Sequence, residues 1–261
     1  MARRVWLNLG LLALLLVLGT LIWRDVTTPA GDTGWPVIRR DGVEYILVES
    51  PGGDSLRLMR GAEGWRMLTP RDLPASQMHV DMILELLDIP AQARYELTEL
   101  NLAAVGLAEP RLRLRLDDRE LAFGATEALD QLRYVRHEGD VFLVYDTVSP
   151  LLLGPWWNFV DRALLATVPA VEAIEWPARG SALDGRETEH LLAQWARLSA
   201  SIVKPMAPGE RDAGEPLIMH TANGERIPWR VIRDNAPRLV RPDLELTYHL
   251  DRRDVPVVFA E

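Results

Sequence analysis

The spacing of hydrophobic residues changes several times along this chain, and each change marks an element. The first run, residues 5–23, has no period at all: VWLNLGLLALLLVLGTLIW is 19 residues without a charge. As a helix it would reach about 28 Å, close to the thickness of a bilayer's hydrocarbon core. Residues 43–49, 55–60 and 65–68 then alternate over short stretches bounded by Gly and Pro, and read as strands. Over 76–87 the period becomes helical, with Met78, Val80, Met82, Ile83, Leu84, Leu86 and Leu87 forming one stripe. Ser76 suits its N-cap, and Pro90 stops it. Residues 93–97 return to a strand. Residues 111–117 (RLRLRLD) alternate strictly, Asp117-Asp118-Arg119 makes a turn, and 120–123 pair back. Residues 132–137 and 141–145 form a second hairpin. Strands with one polar and one apolar face imply an antiparallel sheet covered on one side, here by helices.

The second half repeats this theme. Residues 147–163 are apolar and aromatic, and Pro150 and Pro155 break them into short helical turns. A strand is expected at 171–176 and an amphipathic helix at 187–198, with Leu191, Leu192, Trp195 and Leu198 on one side. Further strands are expected at 217–221, 227–232, 238–241, 244–250 and 255–259. Several landmarks recur at nearly constant offset. Glu109-Pro110 matches Glu215-Pro216, and Arg133-Tyr134-Val135-Arg136 matches Arg238-Leu239-Val240-Arg241. The expected class is therefore α+β: a single N-terminal transmembrane helix, then two related units, each an antiparallel sheet plus helix. The divisions are an anchor at 1–24, a linker at 25–36, a first unit at 37–165 and a second, shorter unit at 166–261.

Charge gives the anchor a direction. Arg3 and Arg4 precede the run, while Arg24 and Asp25 cancel behind it. The positive-inside rule places the N-terminus in the cytoplasm and the body in the periplasm, as a single-pass protein of a bacterial inner membrane. The rival reading is a cleaved signal peptide. It suits the segment less well, because the run is long and ends in Leu21-Ile22-Trp23 with no small-residue cleavage site. The whole chain carries a net charge of −9 and has no cysteine. Disulfides, thiol catalysis and cysteine metal sites are thereby excluded. An acidic body disfavours nucleic acid as a partner.

No catalytic motif stands out. The five histidines, at 79, 137, 190, 220 and 249, fall into no close metal-ligand spacing, and each is expected at a surface or edge position. Asp117-Asp118 and the pair Asp251 and Asp254 are expected at turn tips, capping backbone. Ser181 lacks a nucleophile elbow around it, and no phosphate-binding glycine loop occurs. No catalytic, cofactor-binding or metal-binding residue is therefore assigned, and no cofactor. The strongest candidate is the segment 151–159 (LLLGPWWNF), too apolar for an exposed loop. Trp156, Trp157 and Phe159 either pack between the two units or form a docking patch for a membrane partner, since large aromatics dominate binding hot spots.

Several stretches resemble the DUF4340 family of bacterial proteins of unknown function. Gly64-Trp65-Arg66-Met67-Leu68 with Pro70 is similar to that family's GxW strand. Val105-Gly106-Leu107-Ala108-Glu109-Pro110 resembles its GL..P element, with valine where tyrosine is usual. Phe123-Gly124, Tyr134-Val135 and Asp161-Arg162-Ala163-Leu164-Leu165 resemble its later series. The resemblance covers about residues 40–176. It implies one membrane helix with a large extracytoplasmic part, and association with ABC-type transporters of the gliding-motility kind. The expected function is a non-enzymatic accessory or scaffold subunit of a cell-envelope complex. The alternative is an envelope hydrolase or ligand-binding protein whose site has no recognisable motif.

Overall fold

The computed structural model describes Trp35 and residues 40–53, 55–129 and 131–253. The expected anchor, the linker up to Pro36 apart from Trp35, and the last expected strand at 255–259 lie outside them. Among the described residues, two antiparallel sheets carry the fold, with few helices.

The first sheet has nine strands. β1 (Tyr45–Glu49), β2 (Leu56–Gly61), β3 (Gly64–Thr69) and the short β4 (Leu73–Pro74) form one wing. α1 (Gln77–Glu85) leads through a 3-10 turn to β5 (Ala93–Glu96). β6 (Leu112–Leu116), β7 (Arg119–Thr126), β8 (Leu132–His137) and β9 (Asp140–Tyr145) follow as a meander. The spatial order is β4-β3-β2-β1-β6-β7-β8-β9-β5. Alternation sets the faces: Leu112, Leu114 and Leu116 point into the core, and Arg113 and Arg115 point out. At the β6–β7 turn Asp117 adopts φ 53°. Its carboxylate accepts the backbone N–H groups of Glu44 and Tyr45, which ties the turn to β1.

The connection to the second sheet contains a single helical turn, α2 (Ser149–Leu152). β10 (Val171–Trp176) and β11 (Ser181–Ala182) come next, then α3 (Gly185–Trp195) and β12 (Ile202–Pro205). A second meander closes the chain: β13 (Glu215–Thr221), β14 (Arg226–Ile232), β15 (Arg238–Arg241) and β16 (Leu246–His249). The order is β11-β10-β13-β14-β15-β16-β12. The two orders correspond. β10 lies beside β13 as β1 lies beside β6, and β12 flanks β16 as β5 flanks β9. A helix precedes each of these edge strands.

Buried side chains from both sheets and from α1 and α3 form one contiguous core. Trp195 meets Trp229 edge-on at 5.4 Å, and Trp229 leans on Tyr248. Burying rings of this size dominates the energetics of the second half. Trp35 docks edge-on against Phe142 at 5.2 Å, so the described chain enters through the core of the first sheet.

Three details differ from the sequence expectation. Ser76 makes no N-cap hydrogen bond; its hydroxyl meets His79 Nδ1 at 2.9 Å instead. Met78 and Met82 turn outward, because α1 is apolar on more of its circumference than it can bury. α3 begins two residues before the expected start, where Asp184 and Glu187 form a reciprocal capping box.

Candidate docking surface at the junction of the two sheets

Residues 146–170 run from the first sheet to the second, and their contacts explain why this stretch is so apolar. Asp146 closes β9 by accepting the N–H groups of Val148 and Ser149, and it also holds Arg133 at 2.7 Å. Pro150 sits where a first helical turn tolerates it. Pro155 then precedes a 3-10 turn over Trp156–Phe159.

Beyond that turn a short extended piece joins both halves. On one side, Ser76 N–H donates to Phe159 O and Asp161 N–H donates to Pro74 O, each at 2.8–2.9 Å. On the other, Ala200 N–H donates to Arg162 O and Leu164 N–H donates to Leu198 O. One strand-like strap therefore hydrogen-bonds to the first half along 159–161 and to the second along 162–164. Arg71 adds a further tie, donating to the Leu244 carbonyl and, at 2.6 Å, to the Glu245 carboxylate.

The structure separates the three candidate aromatics. Phe159 is fully buried, with the imidazole of His79 edge-on to it at 6.0 Å. Trp156 and Trp157 are half-buried and meet each other at 5.7 Å in a T-shaped pair. Arg71 lies over the Trp156 ring at 5.7 Å. Leu153 beside them is 52% exposed. Packing thus accounts for Phe159 in full and for part of Trp156 and Trp157, which lie against the same core, while Leu153 and the remaining faces of the two indoles are open to solvent.

Two grooves are lined by the chain that follows the strap, residues 165–171. One, of about 510 Å³, is lined by Arg66, Asp72, Thr167 and Leu244 among others. The other, of about 380 Å³, is apolar, with Leu165, Val168, Leu192 and Ala196 in its wall. Thr167 itself accepts from the buried Arg241, which is also paired with Asp243 and stacked 4.8 Å over Trp229. Burial raises Tyr248 in the same cluster to about 12, so its hydroxyl stays protonated across the physiological range.

The remaining sequence candidates are dispersed. His190 contacts Gln194, His220 contacts Glu175, and His137 contacts the Glu120 carbonyl. His79 departs from the expectation of a surface position: it is 7% exposed, with its imidazole against the strap. Asp251 binds Arg253, whose hydrogen bonds hold it at about 2. Among the described residues no group of three histidines or carboxylates is placed to hold a metal ion. Nor is any described helix long and apolar enough to cross a membrane.

The glycines of the resemblance do clear structural work. Gly106 has φ 69° and lies so close to Gly124–Ala125 that a Cβ would meet Ala125 N at 2.9 Å. A Cβ on Gly124 would press on Val105 O at 2.4 Å. This close approach lets Leu107 reach a small cluster with Ala122 and Val141 on the outer face of the sheet.

The family model described as "Domain of unknown function (DUF4340)" matches residues 65–205, more than half of the chain. The chain belongs to the DUF4340 family. The matched span runs from β3 to β12 and so includes the strap and both sets of its hydrogen bonds. No curated protein and no solved structure matches the chain. The family description carries no sign of catalytic activity.

Proposed function

We propose that this DUF4340 protein is a non-enzymatic accessory subunit of a cell-envelope complex, anchored in the bacterial inner membrane by residues 5–23. Its body lies in the periplasm and consists of two related units, 37–165 and 166–261. The partner is an integral membrane protein, with an ABC-type transporter as the class that the family's associations suggest. The apolar run and the arginines before it support the anchor and its orientation.

The observation that carries the docking role is the Leu153–Trp156–Trp157 surface. It is an apolar patch on a segment hydrogen-bonded into both halves of the molecule. A rigid aromatic surface loses little conformational entropy on binding, which suits a protein interface. The 510 Å³ groove beside Thr167 favours a second reading, a ligand-binding protein of the envelope.

The two roles of the tryptophans separate in one experiment. Phe159→Ala should cost about 3–5 kcal/mol of stability, as core aromatics do. The double variant Trp156→Ala/Trp157→Ala should cost less than that single change. It should also abolish copurification of the full-length protein with its partner in mild detergent. A double variant as unstable as Phe159→Ala, with its partner retained, assigns the rings to packing alone.

A further inference from the structure

The joint between the two halves contains a buried imidazole. His79 is 7% exposed and sits in the first turn of α1, with its ring against Phe159 of the strap. Its ring lies edge-on to Phe159 at 6.0 Å, and its Nδ1 meets the Ser76 hydroxyl at 2.9 Å. Ser76 in turn donates its backbone N–H to Phe159 O, one of the hydrogen bonds that fix the strap to the first half. Ser76 therefore meets the imidazole through its hydroxyl and closes the joint through its backbone N–H.

The surroundings are built for a neutral ring. α1 packs against β3, whose Trp65 and Met67 belong to the core, and against the 3-10 turn, from which Phe159 meets the ring. Arg162, three residues further on, is the charge whose field reaches the ring. The nearby carboxylates are otherwise engaged: Asp81 accepts from the Gln77 side chain and Asp161 from Ala163 N–H. Burial and then Arg162 hold the imidazole below its ordinary value of 6.5.

We propose that the joint between α1 and the strap is proton-sensitive: protonation of His79 in mild acid loosens the Ser76–Phe159 and Pro74–Asp161 contacts and frees the segment bearing Trp156 and Trp157. The consequence for partner binding rests on the docking role proposed above; the opening of the joint does not. The direction follows from linkage. The open state binds the proton more readily than the closed one, so closure is fully favoured above about pH 6.5 and weakens as pH falls below it. One group opening to an ordinary histidine value raises the opening constant by at most about tenfold at pH 5.5.

The test is hydrogen exchange on the full-length protein in detergent, at pH 7.5 and 5.5, corrected for the intrinsic pH dependence of exchange. The probes are the amides of Ser76 and Asp161. The wild type should lose protection at these amides by several-fold, up to that tenfold ceiling, at the lower pH. His79→Gln, which keeps a polar side chain without a titration, should show no such loss. His249 is also held below its ordinary value, by burial, Lys204 and Arg238, so His249→Gln is the control and should retain the wild-type response. Equal protection of the wild type at both pH values, or an unchanged acid response in His79→Gln, overturns the proposal. If His79→Gln is unstable, His79→Phe gives the same comparison with an apolar ring. Copurification at the two pH values then reports the docking link separately: opening without partner loss contradicts the docking role and leaves the joint intact.

Discussion

Two loops cover the outer faces of the two sheets in the same topological position, yet they are held by different forces. Residues 97–108 follow β5 and lead into β6; residues 206–214 follow β12 and lead into β13. Each carries a glycine with positive φ, Gly106 at 69° and Gly214 at 72°, pressed against the second strand of its meander. The first loop is held by apolar contact, with Leu107 buried against Ala122 and Val141 and with Leu97, Leu100 and Leu102 around them. The second is held by a carboxylate: Glu210 accepts from Ala207 N–H, the Thr247 hydroxyl and Arg238 Nε. One backbone solution thus tolerates two chemistries, and in the second a carboxylate held below its ordinary value is the anchor.

The largest effect should come from the apolar loop. Leu107→Ala should cost about 2–5 kcal/mol in denaturant unfolding, because the side chain is fully buried and its backbone is pinned by Gly106. A loss below about 1 kcal/mol would mean that the loop collapses onto the vacancy and that its apolar cluster is not what fixes it.

Glu210→Gln should come next, at about 1–3 kcal/mol, since three donors, the Ala207 N–H, the Thr247 hydroxyl and Arg238 Nε, lose an anionic acceptor in a largely buried site. The sign with pH is fixed. Burial acts to raise the Glu210 carboxyl, but the Ala207 N–H, Thr247 and Arg238 together hold it below its ordinary 4.5. Its contribution is therefore complete above about pH 4.5 and lost as pH falls through the folded value. Thermal melts between pH 6 and 3 should show a decline in the wild type that is shallower in Glu210→Gln. Parallel curves for the two proteins would place the acid sensitivity elsewhere. The smallest effect belongs to Asp234→Asn. That carboxylate also binds Arg238 but stands in solvent, so its removal should leave the melting temperature within measurement error.

The sequence exposed much of this architecture. Strict alternation over 111–117 placed β6 and its hairpin, and the offset between Glu109-Pro110 and Glu215-Pro216 pointed to two similar meanders. The edge strands were harder to see. β11 has two residues, and β12 (IVKP) ends in proline with a lysine inside, so neither has room for a period. The candidate site was legible only in outline. Eight apolar or aromatic positions in nine residues show that 151–159 cannot be an ordinary loop, if glycine and proline are set with the apolar side. Which ring goes inside depends on residues 74–76 and 198–200, far away in sequence. The burial of His79 has the same origin. Its partner Phe159 lies in a different element, so local periodicity placed it beside the stripe and not under the strap.

The docking role is tested most directly by site-specific crosslinking in membranes, which the absence of cysteine makes simple. Leu153→Cys places a thiol on the junction patch. Leu129→Cys, at a position 87% exposed in the β7–β8 connection, serves as the comparison. The account predicts that the Leu153 position crosslinks to an integral membrane protein, that the product disappears when Trp156 and Trp157 are replaced by alanine, and that the Leu129 position gives none. Equal products from both positions, or a Leu153 product that survives loss of both tryptophans, would contradict it.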